Sequence, residues 1–250
     1  MSFSIKLGNI LYKYAYGIYK PVYTVFKNQQ DAFEISLLKK HISEGDIVLD
    51  IGANIGYYAG ILARLVGEKG QVHCFEPDLK NFSHLKDSVG SLNNVLVNNK
   101  AVGAKTELLS MYTSKNLNVD HRTYEPEEYD EKLEIQALSI DDYVSELKIA
   151  KVDFIKIDIQ GFEMQAIKGM ERTLAENKDL KIISEFWPYG LKKAGSSVSQ
   201  YYDFLNSKGF ICYLLEKETL SKLNSESVRQ LEPLGESHYF NILAIRSNVQ

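Results

Sequence analysis

Apolar segments alternate with amphipathic segments along most of the chain. The segments 47–51 and 71–77 predict strands, and the apolar runs at 152–161 and 180–187 predict strands that are buried on both faces. Residues 31–43 carry apolar side chains at helical spacing, and helical patterns follow the four strand-like runs. This repeated alternation predicts a parallel sheet covered by helices on both sides.

The two ends of the chain depart from this alternation. The apolar runs 210–215 and 238–246 enclose a loop of roughly twenty residues without helical periodicity, which predicts an antiparallel pair of strands. Residues 1–30 predict an N-terminal helix or arm, and residues 31–250 a single large domain. The arm is rich in tyrosine. It either packs on the domain, forms an aromatic wall for a substrate, or makes a homodimer contact.

Composition and charge narrow the class of protein. The 250 residues carry a formal net charge of −4, which gives no general attraction to nucleic acid. Cys74 and Cys212 lie far apart in apolar contexts, and we expect two buried thiols in a reducing compartment. No zinc-like spacing of Cys and His occurs, so no metal is expected. The sequence shows neither a signal peptide nor an apolar run long enough to span a membrane, which predicts a cytoplasmic protein without membrane contact.

The turn after the first predicted strand, in "VLDIGANIG", indicates a ligand site. Gly52 and Gly56 permit positive φ and close approach of a ligand to the backbone. Asn54 replaces the middle glycine of the dinucleotide motif G-x-G-x-x-G, and no third glycine follows. Asp50 adds negative charge beside the turn. Together these features favour a ligand with a cationic group, such as an amino group or a sulfonium.

The second strand ends at Glu76, about twenty residues beyond the turn, at the spacing of an acid that binds ribose hydroxyls. Such an acid indicates an adenosine-like ligand without choosing between cofactors.

Seven blocks in order carry a family resemblance: "VLDIGANIGYY", "FEPD", "NNKAVG", "DHRTY", "IKIDIQGFE", "EFWPYGL" and "FNILAIR". Together they resemble the FkbM-type S-adenosylmethionine-dependent methyltransferases over residues 34–246. The resemblance implies a class I (Rossmann-like) α/β fold with a seven-stranded, mostly parallel sheet whose last strand is antiparallel. It also implies S-adenosyl-L-methionine as cofactor and O-methylation of a small molecule with a hydroxyl group, such as a sugar or a polyketide.

The resemblance also assigns site residues. It places Asp50, Gly52, Asn54 and Gly56 at the methionine end of the cofactor, Glu76 at the ribose, and Asn98, Asn99 and Ala101 near the adenine. Asp158 would face the methionine amino group or the acceptor. One position departs from the family: Gln160 stands where the family pattern has an acid, so the role of that position is in doubt.

A hydroxyl acceptor is a weak nucleophile, so a general base would help to remove its proton. His121 lies in a polar loop beside Arg122, and we predict that His121 is a base or orients the acceptor while Arg122 binds it. An exposed polar loop is the alternative. Glu163 fits a helix N-terminus. Glu185 is either a capping residue or an acceptor contact, with Trp187 and Tyr189 as an apolar floor.

Three other functions compete with an O-methyltransferase. A nicotinamide-dependent oxidoreductase is disfavoured by the glycine pattern, and a nucleic-acid methyltransferase by the acidic composition. A protein that binds the cofactor without catalysis is suggested by Gln160.

Overall fold

A computed structural model of the chain describes residues 3–114 and 122–246, with residues 3–7 described by backbone alone. Within these ranges the helices are α1 (Phe3–Tyr14), α2 (Tyr16–Gln30), α3 (Ala32–His41), α4 (Tyr57–Val66), α5 (Leu79–Val89), α6 (Ile140–Glu146), α7 (Glu163–Lys168), α8 (Glu171–Glu176), α9 (Pro188–Lys193), α10 (Val198–Ser207) and α11 (Ser225–Leu231). The strands are β1 (Ile47–Ile51), β2 (Gln71–Phe75), β3 (Val95–Asn98), β4 (Ala101–Val102), β5 (Glu107–Tyr112), β6 (Lys132–Leu138), β7 (Phe154–Ile157), β8 (Lys181–Glu185), β9 (Phe210–Glu216), β10 (Thr219–Lys222) and β11 (Asn241–Arg246).

The main sheet confirms the predicted fold class. Its strand order is β10-β9-β11-β8-β7-β1-β2-β3. Strands β3, β2, β1, β7 and β8 are mutually parallel, and β11 runs antiparallel between β8 and β9. The chain builds outward from β1 to β3, then returns to add β7 on the other side of β1. Ligands bind at such a reversal, beyond the carboxyl ends of the strands.

The segment between β9 and β11 contains more structure than the predicted loop. A tight turn with Lys217 at φ 54° folds the chain back into β10, which adds an eighth strand at the edge of the sheet. Helix α11 follows, and its N-cap Asn224 exchanges hydrogen bonds with Ser227 in a capping box. The last strand begins at Asn241, so the predicted start at His238 was wrong. His238 is exposed and precedes the strand.

A small second sheet has the order β4-β6-β5, with β6 parallel to β4 and antiparallel to β5. Buried Met111, Ile135 and Ala137 pack together on it with Ala101. Because Val102 and Leu138 belong to the main core, this sheet is attached to the carboxyl edge of the large one.

Local capping explains several helix starts. Asp78 and Ser139 each accept a hydrogen bond from a backbone N–H three residues on. Asp31 precedes α3 and is a residue type that favours helix caps, but its side chain makes no capping bond to α3. Its carboxylate instead accepts from the Tyr58 hydroxyl at 2.7 Å and pairs with Lys27 at 2.5 Å.

The tyrosine-rich face of α1 and α2 packs on the domain. Tyr12 donates from its hydroxyl to Asn81 Oδ1 at 2.6 Å, and Tyr16 stacks on His84 with 3.5 Å between ring centroids. Tyr12 and Tyr19 are buried with Ile55 in one apolar cluster. The proposed division of the chain at residue 30 stays a prediction.

Both cysteines, Cys74 in β2 and Cys212 in β9, are buried free thiols, as expected. Among the described helices, none combines the length and the apolar character needed to cross a bilayer.

Gly190 provides a test of the packing at the carboxyl edge. A Cβ at this position in α9 would lie 2.0 Å from Cε3 of the fully buried Trp187. Replacement of glycine by alanine inside a helix otherwise stabilises by up to about 1 kcal/mol. Because of the clash, we expect Gly190→Ala to lower the free energy of unfolding by about 1–3 kcal/mol in urea denaturation.

Gly235→Ala is the matched control, since nothing lies within 4 Å of its added Cβ. Its stability should change by less than about 0.5 kcal/mol. Wild-type stability of Gly190→Ala would show that Trp187 can move without cost.

Candidate active site

A cleft of about 750 Å³ lies at the carboxyl edge of the main sheet, where the strand order reverses. It extends from the end of β2, past β1, β7 and β8, to the start of β11, which is antiparallel and therefore begins at the same edge. Its polar lining residues include Asn54, Glu76, Lys156, Asp158, Gln160, Glu185 and Asn241. Both α2 and α3 also contribute to its walls.

The turn after β1 lines the cleft as predicted. Gly52 has φ +85°, and a Cβ there would lie 1.9 Å from the carbonyl oxygen of Asp158, so only glycine fits between β1 and β7. The Gly52 and Ala53 N–H groups both donate to the carbonyl of Phe75 at 3.0 Å. Asn54 has φ 49°, and its Oδ1 accepts from the Ile55 N–H.

Gly56 has a different role from the one expected. It also has a positive φ, of 86°, but it does not line the cleft. A Cβ there would lie 3.0 Å from Leu85 Cδ1 and 3.1 Å from Ser88 Cβ. The missing side chain therefore lets α5 pack closely against the start of α4, rather than giving a ligand access to the backbone.

Glu76 stands at the end of β2 and lines the cleft. Its Oε2 accepts from the Asn54 N–H and its Oε1 from the Asp78 N–H, both at 2.9 Å. Burial raises the pKa of Glu76 to about 8, although the two backbone donors favour the charged form. The turn and the acid are thus bound to each other, which fixes the carboxylate in place.

The residues expected near the adenine separate into two groups. Ala101 lines the cleft together with Lys100 and Val102. Asn98 and Asn99 do not: Asn98 Nδ2 donates to the Cys74 carbonyl and the Tyr143 hydroxyl, both at 3.1 Å. Asn99 Nδ2 donates to the carbonyls of Glu76 and Pro77 at 2.9 Å. Asn99 therefore supports the segment that carries Glu76.

Asp50 is fully buried beneath the turn, and neither of its carboxylate oxygens has a hydrogen-bond partner. It pairs in register with Lys156 across β1 and β7. Burial raises the pKa of Asp50 to about 6; Lys156 opposes this increase, while Asp158 and Glu34 add to it. An additional cation near the turn would favour the ionised carboxylate.

Lys156 of β7 is the buried cation next to Asp50. Its side chain is 4% exposed, and its Nζ lies 3.3 Å from Asp158 Oδ2 and 4.2 Å from the ring centroid of Tyr58. Burial disfavours the charge, yet the carboxylates of Asp158, Glu34 and Asp50 together raise the pKa of Lys156. Three acids thus share one buried ammonium.

Asp158 follows β7 and faces the cleft with its side chain 42% exposed. Desolvation of the Asp158 carboxylate disfavours its ionisation, but the positive charges of Lys156 and Lys27 hold the pKa of Asp158 below its usual range. Gln160, at φ 55°, donates from Nε2 to Asp158 Oδ1 at 3.4 Å and to Glu185 Oε1 at 3.3 Å. The amide therefore connects two carboxylates that line the cleft.

Several other predicted residues lie away from the cleft. His121 is outside the described residues. Arg122 packs over the Trp187 ring at 5.2 Å and pairs with Glu236 at 3.1 Å, and neither Arg122 nor Trp187 lines the cleft. The aromatic contribution comes instead from Tyr239, which stacks on Trp187 with 4.7 Å between centroids.

Tyr189 is likewise outside the lining residues. Glu163 is fully buried, and its Oε1 accepts from the N–H groups of Ile159 and Gly161 at 3.1 and 3.2 Å. It therefore stabilises the turn after β7.

An aromatic wall for a substrate is one of the alternatives that the sequence predicts for the arm, and α2 contributes both aromatic and polar side chains to the cleft. Tyr23, Lys27 and Gln30 line the cleft, next to Asp31. The spacing of the tyrosines along one helical face would have revealed that α2 packs on the domain, although not on which part. From its position in the sequence, Glu34 could either close over the cofactor or lie on a solvated helix face. The structure buries it at the cleft, where it accepts from Asn241 Nδ2 at 2.6 Å.

Comparison with known families identifies this architecture. The family model described as "Methyltransferase FkbM domain" matches residues 50–212. The chain belongs to this family of methyltransferases. The resemblance read from the sequence blocks is thereby confirmed, and with it S-adenosylmethionine as the cofactor.

Three characterised relatives support membership in the FkbM family. The chain is 26% identical to the 2-O-methyltransferase NoeI of Sinorhizobium fredii, covering 70% of this chain and 75% of NoeI. It is 25% identical to the hexuronic acid methyltransferase AglP of Haloferax volcanii, covering 59% of each. It is 26% identical to the 31-O-demethyl-FK506 methyltransferase FkbM of Streptomyces tacrolimicus, covering 51% of this chain and 60% of that protein.

Among solved structures, a Clostridium thermocellum protein assigned as an rRNA-methylase superposes with a TM-score of 0.51 at 14% identity. The match covers 86% of this chain and 95% of that protein, and it shows the shared fold alone.

The residues of the cleft fit S-adenosylmethionine, which supplies a methyl group on a positively charged sulfur. Asp158, which lines the cleft, and the excess of acids around Lys156 would suit the amino and sulfonium cations; the buried, unpartnered carboxylate of Asp50 adds to this excess from beneath the turn without lining the cleft itself. Glu76 is placed to accept from ribose hydroxyls, and Ala101 and Val102 offer an apolar surface to the base. Within the described residues, no group of His, Cys, Asp and Glu side chains could hold a metal ion.

The pKa of Asp50 predicts how cofactor binding depends on pH. A cationic ligand favours the ionised carboxylate, whose fraction increases as the pH rises through about 6. We expect the dissociation constant for S-adenosylmethionine to fall up to about tenfold between pH 5 and 7. Calorimetric titration should show weaker binding and a smaller pH dependence for Asp50→Asn.

The raised pKa of Asp50 predicts that the free energy of unfolding falls as the pH rises, whereas cofactor binding becomes stronger. Between pH 3.8 and about 6 the folded state holds a proton on Asp50 that the unfolded state releases, so this group makes the fold less stable as pH rises. Asp50→Asn should therefore be up to about 3 kcal/mol more stable at pH 7. Glu163→Gln is the control, because Glu163 is also buried with a pKa raised to about 7 but supports the turn after β7 rather than the turn after β1. A wild-type pH dependence in Asp50→Asn would contradict the assignment.

Gln160→Glu tests why an amide stands between Asp158 and Glu185. The substitution puts a third carboxylate among two others and removes the donated hydrogen bonds. We expect a loss of about 1 kcal/mol of stability at pH 7.5, discounted for the exposure of Asp158, and partial recovery at pH 5 as a carboxyl protonates.

The control for this variant is Gln230→Glu on the exposed face of α11. Urea denaturation of both variants at pH 7.5 and pH 5 distinguishes repulsion between the clustered carboxylates from the general effect of a Gln-to-Glu substitution. Equal behaviour of the two variants would show that the cleft tolerates the acid.

Proposed function

We propose that the chain transfers the methyl group of S-adenosylmethionine to a hydroxyl oxygen of a saccharide or a similar polyhydroxylated metabolite. The observation that carries this proposal is the row of hydrogen-bonding side chains along the ends of β7, β8 and β11. Asp158, Glu185 and Asn241 line this half of the cleft, whereas Glu76 and the glycine turn line the other half. Carboxylates and amides arranged in this way bind several hydroxyl groups at once.

Aromatic side chains support the same class of acceptor. Tyr239 and Phe240 line the cleft beside Asn241, and Tyr239 is held by stacking on the buried Trp187. A flat apolar surface next to hydrogen-bonding groups suits the faces and edges of a sugar ring. The names of the relatives NoeI and AglP, a 2-O-methyltransferase and a hexuronic acid methyltransferase, are compatible with such an acceptor, as is the O-methyltransferase FkbM.

The chain contributes chiefly by alignment. The acceptor oxygen must lie in line with the methyl carbon and the sulfur, and alignment supplies roughly 7–11 kcal/mol. The new C–O bond forms as the C–S bond breaks, and the hydroxyl proton passes to a base. Because the pKa of Asp158 is held low, this carboxylate suits holding a hydroxyl or the methionine amino group better than taking a proton.

His121 stays the proposed base or orienting group, with Arg122 beside it. Thr123 lines the cleft, so the segment that follows His121 borders the acceptor half. Arg122 supports that segment, since its backbone pairs with Tyr112 and its side chain packs on Trp187.

The proposal is tested by incubating the protein with S-adenosylmethionine and a panel of saccharides, each paired with a fully O-acetylated counterpart. We expect S-adenosylhomocysteine to form only with free hydroxyls. Glu185→Gln should raise KM for the acceptor about tenfold without changing cofactor affinity, because Glu185 lies in the acceptor half. Glu176→Gln, exposed at the end of α8, is the matched control.

Cofactor binding without turnover on any acceptor would favour a catalytically inactive binding protein. Fluorescence-detected binding of NADH in place of S-adenosylmethionine would favour the oxidoreductase alternative.

A further inference from the structure

The outward face of α1 and α2 is apolar. Among the described residues, half of the large hydrophobic side chains that are exposed fall within residues 10–26. They are each 56–75% exposed and recur at helical spacing along one side: Ile10, Tyr14, Ile18, Val22, Val25 and Phe26. An ordinary surface helix has its polar side outward, so this arrangement is inverted. We call these six side chains the outer apolar face.

Lysines accompany this face without any acid. The first thirty residues contain lysines at 6, 13, 20 and 27 and no Asp or Glu, in a chain whose net charge is −4. Lys27 turns to the other side of α2 and lines the cleft, whereas Lys13 is exposed beside Tyr14, with its Nζ 5.3 Å from that ring, and Lys20 is partly exposed. Apolar side chains bordered by basic ones are typical of helices that lie in a membrane interface.

We propose that the outer apolar face docks on the surface of a bilayer that contains anionic lipids. Apolar side chains would enter the boundary between headgroups and acyl chains, while Lys13 and Lys20 contact lipid phosphates. A second copy of this chain fits the face less well. In a symmetric contact the lysines of both copies would lie on facing surfaces, and like charges would repel each other.

The position of the cleft gives the contact a consequence for catalysis. The opposite side of α2 lines the cleft through Tyr23, Lys27 and Gln30. One helix therefore borders the acceptor cleft and would lie on the bilayer, so docking brings the cleft next to the membrane surface. This inference does not depend on the proposed acceptor.

Vesicle co-sedimentation tests the proposal. The full-length chain is mixed with vesicles of phosphatidylcholine alone, or of phosphatidylcholine and phosphatidylglycerol about two to one. We expect binding to the mixed vesicles that weakens with salt. The triple variant Ile18→Ser, Val22→Ser, Phe26→Ser should bind about tenfold less or worse, and Lys13→Gln with Lys20→Gln should lose the preference for anionic lipid.

The control variant, Leu108→Ser with Leu147→Ser, removes exposed apolar side chains elsewhere and should bind as wild type. All variants should keep wild-type affinity for S-adenosylmethionine, which separates loss of docking from loss of fold or of the cofactor site. Absence of binding to the mixed vesicles, or equal binding of the triple variant, would overturn the proposal. A wild-type dimer in analytical ultracentrifugation that the triple variant dissociates would assign the face to a second copy instead.

Discussion

The cleft depends on one buried ammonium group shared by three carboxylates. Lys156 projects from β7 between Asp50 of β1, Asp158 after β7 and Glu34 of α3. A lysine at this depth is stable only with compensating charge, so the three elements must stay together. The acids outnumber the cation, and the site is therefore electronegative before any ligand enters. A cofactor with an amino group and a sulfonium supplies the charge that the protein omits.

The excess of carboxylates around Lys156 also explains why residue 160 is a glutamine. The FkbM-type pattern has an acid at this position, but here it would lie between Asp158 and Glu185, close to the carboxylates already around Lys156. A neutral amide keeps the geometry of the turn, donates to both neighbours and avoids one more negative charge. The departure from the family pattern is thus consistent with a retained cleft, which weakens its value as a sign of lost activity.

The sequence allowed the fold and half of the cleft to be predicted for identifiable reasons. Strands β1 and β7 are nearly continuous apolar runs, and the spacing from Gly52 to Glu76 reflects the turn, one helix and the next strand. Gly56 and Asn99 lie in the same motifs but face away from the cleft. The local sequence pattern does not distinguish a glycine beside a ligand site, such as Gly52, from a glycine against which a helix packs, such as Gly56. That distinction depends on α5, whose packing is a tertiary property.

Charged side chains of the arm interact with charged side chains of the cleft. No local sequence pattern could have predicted these interactions. Lys27 of α2 pairs with Asp31, Asp31 accepts from Tyr58, and the Tyr58 ring lies beneath Lys156. Lys27 also helps to hold the pKa of Asp158 low. An arm displaced from the domain would remove this cation and leave Lys156 to lower the pKa of Asp158 without it, so that pKa would rise. The position of α2 therefore sets the charge of a side chain in the acceptor half of the cleft, and whatever fixes α2 from outside also acts on the site.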